Sequence, residues 1–150
     1  MLLLECKADE TLARALGCTR RNCLHLNDKG RVCNRLQKGD GETGMVDEDP
    51  GAAQPPYLQK LELISDVHDV KVFRDPAGSQ KLAVVCPRLE EWVIKTAKLE
   101  GVEMRSYGLD QNANALHKEI NDKLPKLREL IDGLLSLKSE RLLHLKNLIA

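Results

Sequence analysis

Aromatic side chains are scarce in this chain of 150 residues, which contains one Trp, two Tyr and one Phe. Proteins that bind single-stranded nucleic acid without sequence preference stack the bases on aromatic rings. The composition therefore argues against a stacking platform of that kind. Net charge is lacking as well, since Lys plus Arg and Asp plus Glu number 23 each. A balanced total predicts no particular partner, although it is compatible with a local basic surface that binds nucleic acid.

Long apolar runs are also absent, and none approaches the length that crosses a bilayer. The apolar run from Met1 to Leu4 is followed at once by Glu5, so it is too short for a signal peptide. The 5 cysteines include no Cys-x-x-Cys pair, and their odd number favours free thiols. We therefore expect a cytoplasmic protein with reduced cysteines and no membrane partner.

Several familiar site motifs are missing. The residues with suitable chemistry for zinc match no common ligand spacing: Cys18, Cys23, His25 and Cys33. The chain has no nucleophile elbow, no Walker loop and no dinucleotide-binding fingerprint. Acidic residues are therefore the strongest chemical signal that remains.

The most informative segment runs from Gly44 to Gly51, where a short apolar step leads into Asp-Glu-Asp-Pro-Gly. Residues i and i+2 of an extended strand point to the same side, so Asp47 and Asp49 are expected to present two carboxylates together. Two close carboxylates repel, and a hard divalent cation bound through oxygen keeps both ionised. An acidic surface turn is the other interpretation, because Asp, Pro and Gly are all turn residues.

Apolar runs alternate with amphipathic segments through the first hundred residues. Strands are predicted over 1–6, 22–26, the segment ending at 47, 67–73 and 81–86, and helices over 10–16, 31–38, 57–64 and 89–100. Asp9 is predicted to be the N-cap of the first helix. The alternation predicts an α/β fold of Rossmann-like type, with a mostly parallel sheet flanked by helices.

The chain changes character after residue 110. Apolar residues recur there at spacings of three and four: Leu116, Ile120, Leu124, Leu127, Ile131 and Leu134. Pro125 interrupts this pattern, and Ser139 opens a final helix. We expect an α/β domain over 1–110 and a helical extension over 111–150. The extension packs on the domain or on a partner, which includes a second copy of the chain.

Ligands of parallel α/β sheets bind at the carboxyl ends of the strands. Glu5 follows the first predicted strand, Asp47 and Asp49 follow the third, and Glu90 comes just after the last. We therefore expect these four carboxylates to line one site.

Three short motifs resemble those of Toprim domains. In segment 4–9, an apolar strand ends in Glu5 and Asp9 follows four positions later, as in the first Toprim motif. Segment 47–51 is similar to the Asp-x-Asp motif of a later Toprim strand. Segment 87–92 looks like the Pro-x-x-Glu-x-Trp run of Toprim-like proteins found beside restriction and anti-phage systems, including the RloB type. One departure is Cys6, which stands where the family usually has Gly.

The resemblance covers about the first hundred residues. It implies magnesium-dependent phosphodiester chemistry on nucleic acid, of the nuclease type and in genome defence. It assigns Glu5 and Glu90 to catalysis and the pair Asp47 and Asp49 to magnesium, with manganese as a second ion for the same site. This chemistry is plausible in its own right, because a metal ion neutralises charge on a phosphate and activates water.

Lys7 and Arg88 adjoin the two outer motifs, and we expect them to contact phosphate, with ordinary surface charge as the other explanation. Two further functions stay open. One is a non-enzymatic module that binds a protein partner through its helices, because a fold does not establish a function. The other is a receiver-like domain with one acidic magnesium pocket. A receiver would place a Lys after its last strand, whereas Lys81 precedes that strand here.

Overall fold

The computed structural model describes all residues from 1 to 150. Its strands are β1 Leu2–Leu4, β2 Cys23–His25, β3 Thr43–Asp47, β4 Glu62–Val67, β5 Val70–Arg74 and β6 Lys81–Val85. Its α-helices are α1 Lys7–Ala15, α2 Lys29–Lys38, α3 Leu89–Leu99, α4 Ala113–Glu119, α5 Leu124–Ser136 and α6 Glu140–Ile149. None of them combines the length and apolarity needed to span a bilayer.

The strands form one sheet of six in the order β2-β1-β3-β6-β5-β4. The first four of these run parallel, and β5 and β4 add an antiparallel hairpin at one side. Helices cover both faces, so the predicted α/β class with a mostly parallel sheet and a helical C-terminal part is confirmed.

Both faces of the sheet are buried, because successive side chains of a strand point to opposite sides. Leu2 and Leu4 of β1 belong to a cluster of 25 buried residues beneath α1, α3, α5 and α6, which we call the broad face. Leu3 belongs to a cluster of 8 buried residues beneath α2, which we call the narrow face. Gly44 lets α2 approach closely, since a Cβ there would lie 2.9 Å from the side chains of Leu36 and Leu82.

The helices after residue 110 are part of the broad-face core. Their fully buried members are Leu116, Leu127, Leu130, Ile131, Leu134, Leu142 and Leu145. Arg141 of α6 donates hydrogen bonds to Thr96 Oγ1 and to Asp69 Oδ2, each at 2.8 Å, and its guanidinium lies 4.7 Å from the ring centroid of Trp92. These contacts join α6 to α3 and to the β4–β5 turn, so segments 1–110 and 111–150 share one core.

The helix predicted over 57–64 is wrong. A 3₁₀ turn covers Pro56–Lys60, and β4 begins at Glu62 and pairs with β5. Pairing with β5, the next strand along the chain, overrides the local spacing of leucines, which had indicated a helix. The single strand predicted over 67–73 is also wrong, because His68 and Asp69 form the turn of a tight hairpin with φ of 56° and 59°.

The N-cap predicted for the first helix is wrong too. The helix begins at Lys7 and Cys6 is its N-cap. Asp9 Oδ2 accepts a hydrogen bond from the Cys6 N–H at 3.1 Å, and the Asp9 N–H donates to Cys6 Sγ at 3.5 Å. This reciprocal capping box turns the Asp9 side chain inward, where it is 1% exposed. The edge of the sheet thereby gains a buried carboxylate.

Candidate metal centre

The order of the strands creates a crevice between β1 and β3. The chain leaves β1 through α1 on the broad face, and it leaves the neighbouring strand β3 through the loop that leads to Tyr57 on the narrow face. The two connections therefore diverge on opposite faces of the sheet. Open α/β sheets bind their ligands at such a reversal, outside the carboxyl ends of the strands. Glu5 follows β1 and Asp47 ends β3, so both lie at this crevice.

Glu5, Asp47 and Asp49 converge there, and one carboxylate oxygen of each lies within 4.8 Å of the other two. Backbone groups fix their orientation. Glu5 Oε2 accepts a hydrogen bond from the Asp47 N–H, and Asp47 Oδ1 accepts one from the Leu89 N–H, each at 3.0 Å. The Asp49 N–H donates to the Pro87 carbonyl at 3.0 Å, which ties this loop to the end of β6. The second oxygens of Glu5 and Asp47 remain available to a ligand.

Two more carboxylates lie beside these three. Asp9 is 1% exposed and Glu90 is 4% exposed, and both are close enough to Asp47 for their charges to raise its pKa. Asp9 Oδ1 and Glu90 Oε2 are buried without any hydrogen-bond partner. A buried polar atom without a partner costs free energy, which a bound cation would offset. The acidic cluster, as we call it, consists of Glu5, Asp9, Asp47, Asp49 and Glu90.

Three members of the cluster, Glu5, Asp9 and Asp47, have pKa values above those of ordinary carboxyl groups. Burial is the largest cause that raises the pKa of Asp47, Asp9 and Glu5, and repulsion between the carboxylates raises it further. At Glu5, the hydrogen bond from the Asp47 N–H and the charge of Lys29 oppose this shift. A divalent cation would remove the repulsion and replace the lost hydration.

The donor set and its geometry fit a hard cation. All the donors are oxygens, which magnesium and manganese prefer. Magnesium binds oxygen at about 2.1 Å, so two ligands on opposite sides of the ion are about 4.2 Å apart. The separation within 4.8 Å seen here needs only small side-chain rotations to match that value.

Lys29 shapes the entrance to the cluster. It is the first residue of α2, which begins two residues earlier than predicted, and it is 9% exposed. Its Nζ donates to the Glu48 carbonyl at 2.8 Å and to Gln54 Oε1, which holds the loop after β3 against α2. A cleft of about 530 Å³ opens there, with Glu5 and Asp49 among its lining residues. A ligand in this cleft can reach the carboxylates.

The two basic residues expected to contact phosphate lie in different surroundings. Arg88 forms an ion pair with Glu91 and donates to Asn114 Oδ1 at 3.0 Å. Its pKa is raised chiefly by Glu91 and more weakly by the charge of Asp49, so it lies beside the cluster. Lys7 is exposed at the start of α1 and lines a separate cleft that contains no member of the cluster.

His117 of α4 joins the site although the sequence did not indicate it. Its Nδ1 lies 2.9 Å from Glu90 Oε1, and the imidazole side chain is 61% exposed whereas the Glu90 side chain is 6% exposed. No local pattern reveals this contact, because only the packing of α4 on α3 creates it. Lys29, also missed, could have been found by its position just after the second strand, at the same edge as Glu5.

Comparison with protein-family models, with curated proteins and with solved structures finds no match for this chain. A function is therefore inferred from the geometry of the acidic cluster and its surroundings.

Proposed function

We propose that this chain is a magnesium-dependent enzyme that cleaves phosphodiester bonds in nucleic acid. The observation that carries the proposal is the convergence of Glu5, Asp47 and Asp49 within 4.8 Å at the crevice between β1 and β3. The unpartnered oxygen of buried Glu90 supports it, because this oxygen lies beside carboxylates that already repel one another. The resemblance to Toprim-like proteins adds genome defence as the setting.

Glu5, Asp47 and Asp49 would hold the ion, with manganese as a substitute. Bound magnesium supplies charge neutralisation at the phosphate and activates water. A carboxylate that binds a cation stays ionised, since the nearby positive charge favours its charged form. Glu5 is therefore assigned to the metal, although the resemblance implied a catalytic role for it.

Proton transfer is assigned instead to Glu90 together with His117. The buried carboxylate fixes the orientation of the ring through Nδ1 at 2.9 Å, which leaves Nε2 as the nitrogen that can exchange a proton with substrate. A histidine held by a carboxylate in this way is a common general acid or base. Arg88 has one terminal nitrogen, Nη1, outside its bonds to Glu91 and Asn114, and this nitrogen is the group we assign to phosphate.

Two measurements on the wild-type protein test this function. Thermal unfolding with magnesium, manganese or EDTA should show a higher Tm with either ion. At a hundredfold excess over Kd, binding to the folded state alone adds about 2.7 kcal/mol to the free energy of unfolding. Labelled DNA and RNA should be cleaved with metal and left intact with EDTA. If neither ion changes the Tm and the substrates stay intact, the proposal is refuted.

A protein-binding function is the second candidate, and strand β4 favours it. This strand is an edge of the sheet, and its apolar side chains Leu63, Ile64 and Val67 are 53%, 48% and 45% exposed. Exposed apolar edge strands are templates for pairing with another strand. The C-terminal helices, which the sequence suggested as the binding surface, bury most of their leucines internally.

Sedimentation of the wild type and of Ile64→Lys tests this second candidate. Pairing of β4 with a second copy predicts a dimer in the wild type that the substitution abolishes. A wild-type monomer at all concentrations would refute self-pairing.

A further inference from the structure

A second cleft begins beside Lys7 and His25, at the edge of the sheet that carries the acidic cluster, and extends along α1 to Arg14. Its lining is basic. It has a volume of about 370 Å³ and lies between α1, the end of β2 and the start of α5. Only one of its 8 lining residues is hydrophobic. We call it the basic cleft. Its charged and polar lining residues are Lys7, Glu10, Thr11, Arg14, His25 and Arg128.

The cations of the basic cleft are available to an anion. Lys7 and Arg14 are exposed, and neither belongs to any of the ten ion pairs of the chain. Arg128 pairs with Asp132 at 3.1 Å, but both side chains are about half exposed. Exposed pairs of this kind are weak, so a phosphate can replace Asp132 as the partner of Arg128. Glu10 is the single acidic residue in the lining.

The chain connects the basic cleft directly to the acidic cluster. Glu5 follows β1 and Lys7 begins α1 two residues later. His25 ends β2 in register with Leu4 at the end of β1, so it lies at the same edge of the sheet. The N-terminus of α5 also meets this cleft at Leu124, and the partial positive charge of a helix N-terminus favours anions.

The lining offers charge and hydrogen-bond donors but little surface for stacking bases. His25 is its only ring with π character, and no Trp, Tyr or Phe lies there. Contacts to phosphates position a nucleic acid without reading its sequence. The cleft is therefore suited to a polynucleotide backbone and not to unstacked bases.

We propose that the basic cleft holds the phosphate backbone of the nucleic-acid substrate on one side of the scissile bond, with Arg14 and Arg128 as its main contacts. This inference rests on the proposed function, because it assigns the substrate of the same site a path along the edge of the sheet. The backbone would pass from the basic cleft over Lys7 to Glu5 and Asp49.

Binding measured without metal tests the path separately from cleavage. Fluorescence anisotropy of a short labelled DNA duplex, and of the matching RNA duplex, is recorded in EDTA over a range of salt concentrations. Arg14→Ala with Arg128→Ala should weaken binding at least about tenfold and should reduce the salt slope by about 2, since each lost phosphate contact removes about one released counterion. Unchanged affinity and slope would overturn the inference.

Arg20 and Arg21 provide a matched control. Both are exposed arginines outside every ion pair, and their 3₁₀ turn precedes β2, which places them at the opposite end of that strand from His25. Arg20→Ala with Arg21→Ala removes the same charge and should leave affinity within about twofold. An equal loss of affinity in this control would mean that the protein attracts nucleic acid through its overall charge. That result would overturn the proposal that the basic cleft binds the backbone.

Glu10→Gln is expected to change the affinity in the opposite direction. Removing the single negative charge of the lining should tighten binding several-fold in the same assay, because repulsion of the backbone is lost. Weaker binding in this variant would contradict the path.

Cleavage assays separate this inference from the proposed function. If the Arg14 and Arg128 double variant cleaves with metal and has the KM of the wild type, the basic cleft does not bind the substrate. The proposed catalytic function would still stand. Binding that depends on these arginines, without cleavage under magnesium or manganese, would support the cleft and refute the catalytic proposal.

Discussion

The acidic cluster and the basic cleft adjoin each other where β1 leads into α1, since Glu5 belongs to the cluster and Lys7 to the cleft. In the acidic cluster Asp9 and Glu90 are buried and the other three carboxylates are half-buried. Its members crowd one another, and two of its oxygens have no partner. In the basic cleft the cations Lys7, Arg14 and Arg128 are exposed, and each charge is at the end of a long, flexible side chain. Burial makes charge costly, so the protonation of the cluster depends on what binds there.

The difference in burial suits the two regions to two tasks, the binding of a metal ion and the holding of a nucleic-acid backbone. Buried charges at fixed positions suit a small cation whose coordination distances are strict. Exposed charges suit a polyanion that is held loosely and displaced by salt. Substitutions in the two regions should therefore differ in their effects on activity, on stability and on the dependence of both on pH.

The largest effect is expected for Asp49→Asn, which removes one of the proposed metal ligands. Cleavage should fall by at least about 100-fold, since loss of groups that merely support a ligand already costs 10- to 100-fold. The Tm in EDTA should hold or rise, because a repelling charge is removed, and the Tm increase caused by magnesium should shrink. Rate and Tm are measured on one preparation. Retained cleavage with a normal magnesium response would contradict the metal assignment.

His117→Ala comes next, because it removes the proposed proton-transfer group and leaves the metal ligands in place. Cleavage should fall by roughly 100-fold or more, the usual contribution of a general acid or base. The dependence of the rate on pH should change shape, while the magnesium-induced rise in Tm persists. Lys118→Ala, an exposed neighbour on α4, is the control and should behave as the wild type. An unchanged pH profile in the His117 variant would show that the ring has no part in proton transfer.

Asp47→Asn should alter stability by a smaller amount that depends on pH. Burial and neighbouring carboxylates raise the pKa of Asp47 in the folded protein. Between the unfolded pKa and this raised value, the folded state binds more protons than the unfolded state, so metal-free stability falls as pH rises. The substitution removes this cost. In EDTA the variant should exceed the wild type by more than about 1 kcal/mol at pH 8, and the gap should close near pH 4.

Chemical denaturation at several pH values measures this gap. Excess magnesium should abolish it or reverse its sign, because only the wild type keeps the full set of ligands. A gap that is the same at pH 4 and pH 8 would contradict the linkage to Asp47.

The smallest effect on stability is expected for Arg14→Ala in the basic cleft. Arg14 is exposed and forms no ion pair, so the free energy of unfolding should change by no more than about 0.5 kcal/mol at any pH between 5 and 8. Denaturation by urea measures it. A loss of several kcal/mol would mean that the arginine is structural, and the contrast with the acidic cluster would disappear.

The fold was predictable where local pattern and tertiary contacts agree. The run of Lys81 to Cys86 predicted a strand buried on both sides, and the structure forms β6 over Lys81–Val85. It buries Leu82 and Val84 on the narrow face and Ala83 and Val85 on the broad face. Prediction was wrong over 57–64, where pairing with β5 decides the structure. The leucine spacing of that segment is compatible with a helix, and no local signal reports the partner strand.

The candidate site was likewise predictable only in part. The sequence indicated Glu5, Asp47, Asp49 and Glu90, because each comes at the end of a predicted strand and parallel strands end at one edge. It did not indicate that Asp9 turns inward, because the capping role depends on where α1 begins and that boundary was misplaced by several residues. A shift of that size changes which side chain faces the core.

By itself, the amino-acid sequence determined the α/β class, the strands that end in carboxylates and the amphipathic helices, because these depend on periodicity and on residues near one another in the chain. Only the tertiary structure decided that His117 meets Glu90, that Arg128 meets Lys7 and Arg14 around one cleft, and that Arg141 fastens α6 to α3. His117 and Glu90 are 27 positions apart in the chain, and the bonded pair Arg141 and Thr96 is 45 positions apart. Lys7 and Arg128 of the cleft are 121 positions apart. Hydrophobic periodicity states which face of a helix is buried but not which other element covers it, so contacts at such separations follow from the packing of the whole core.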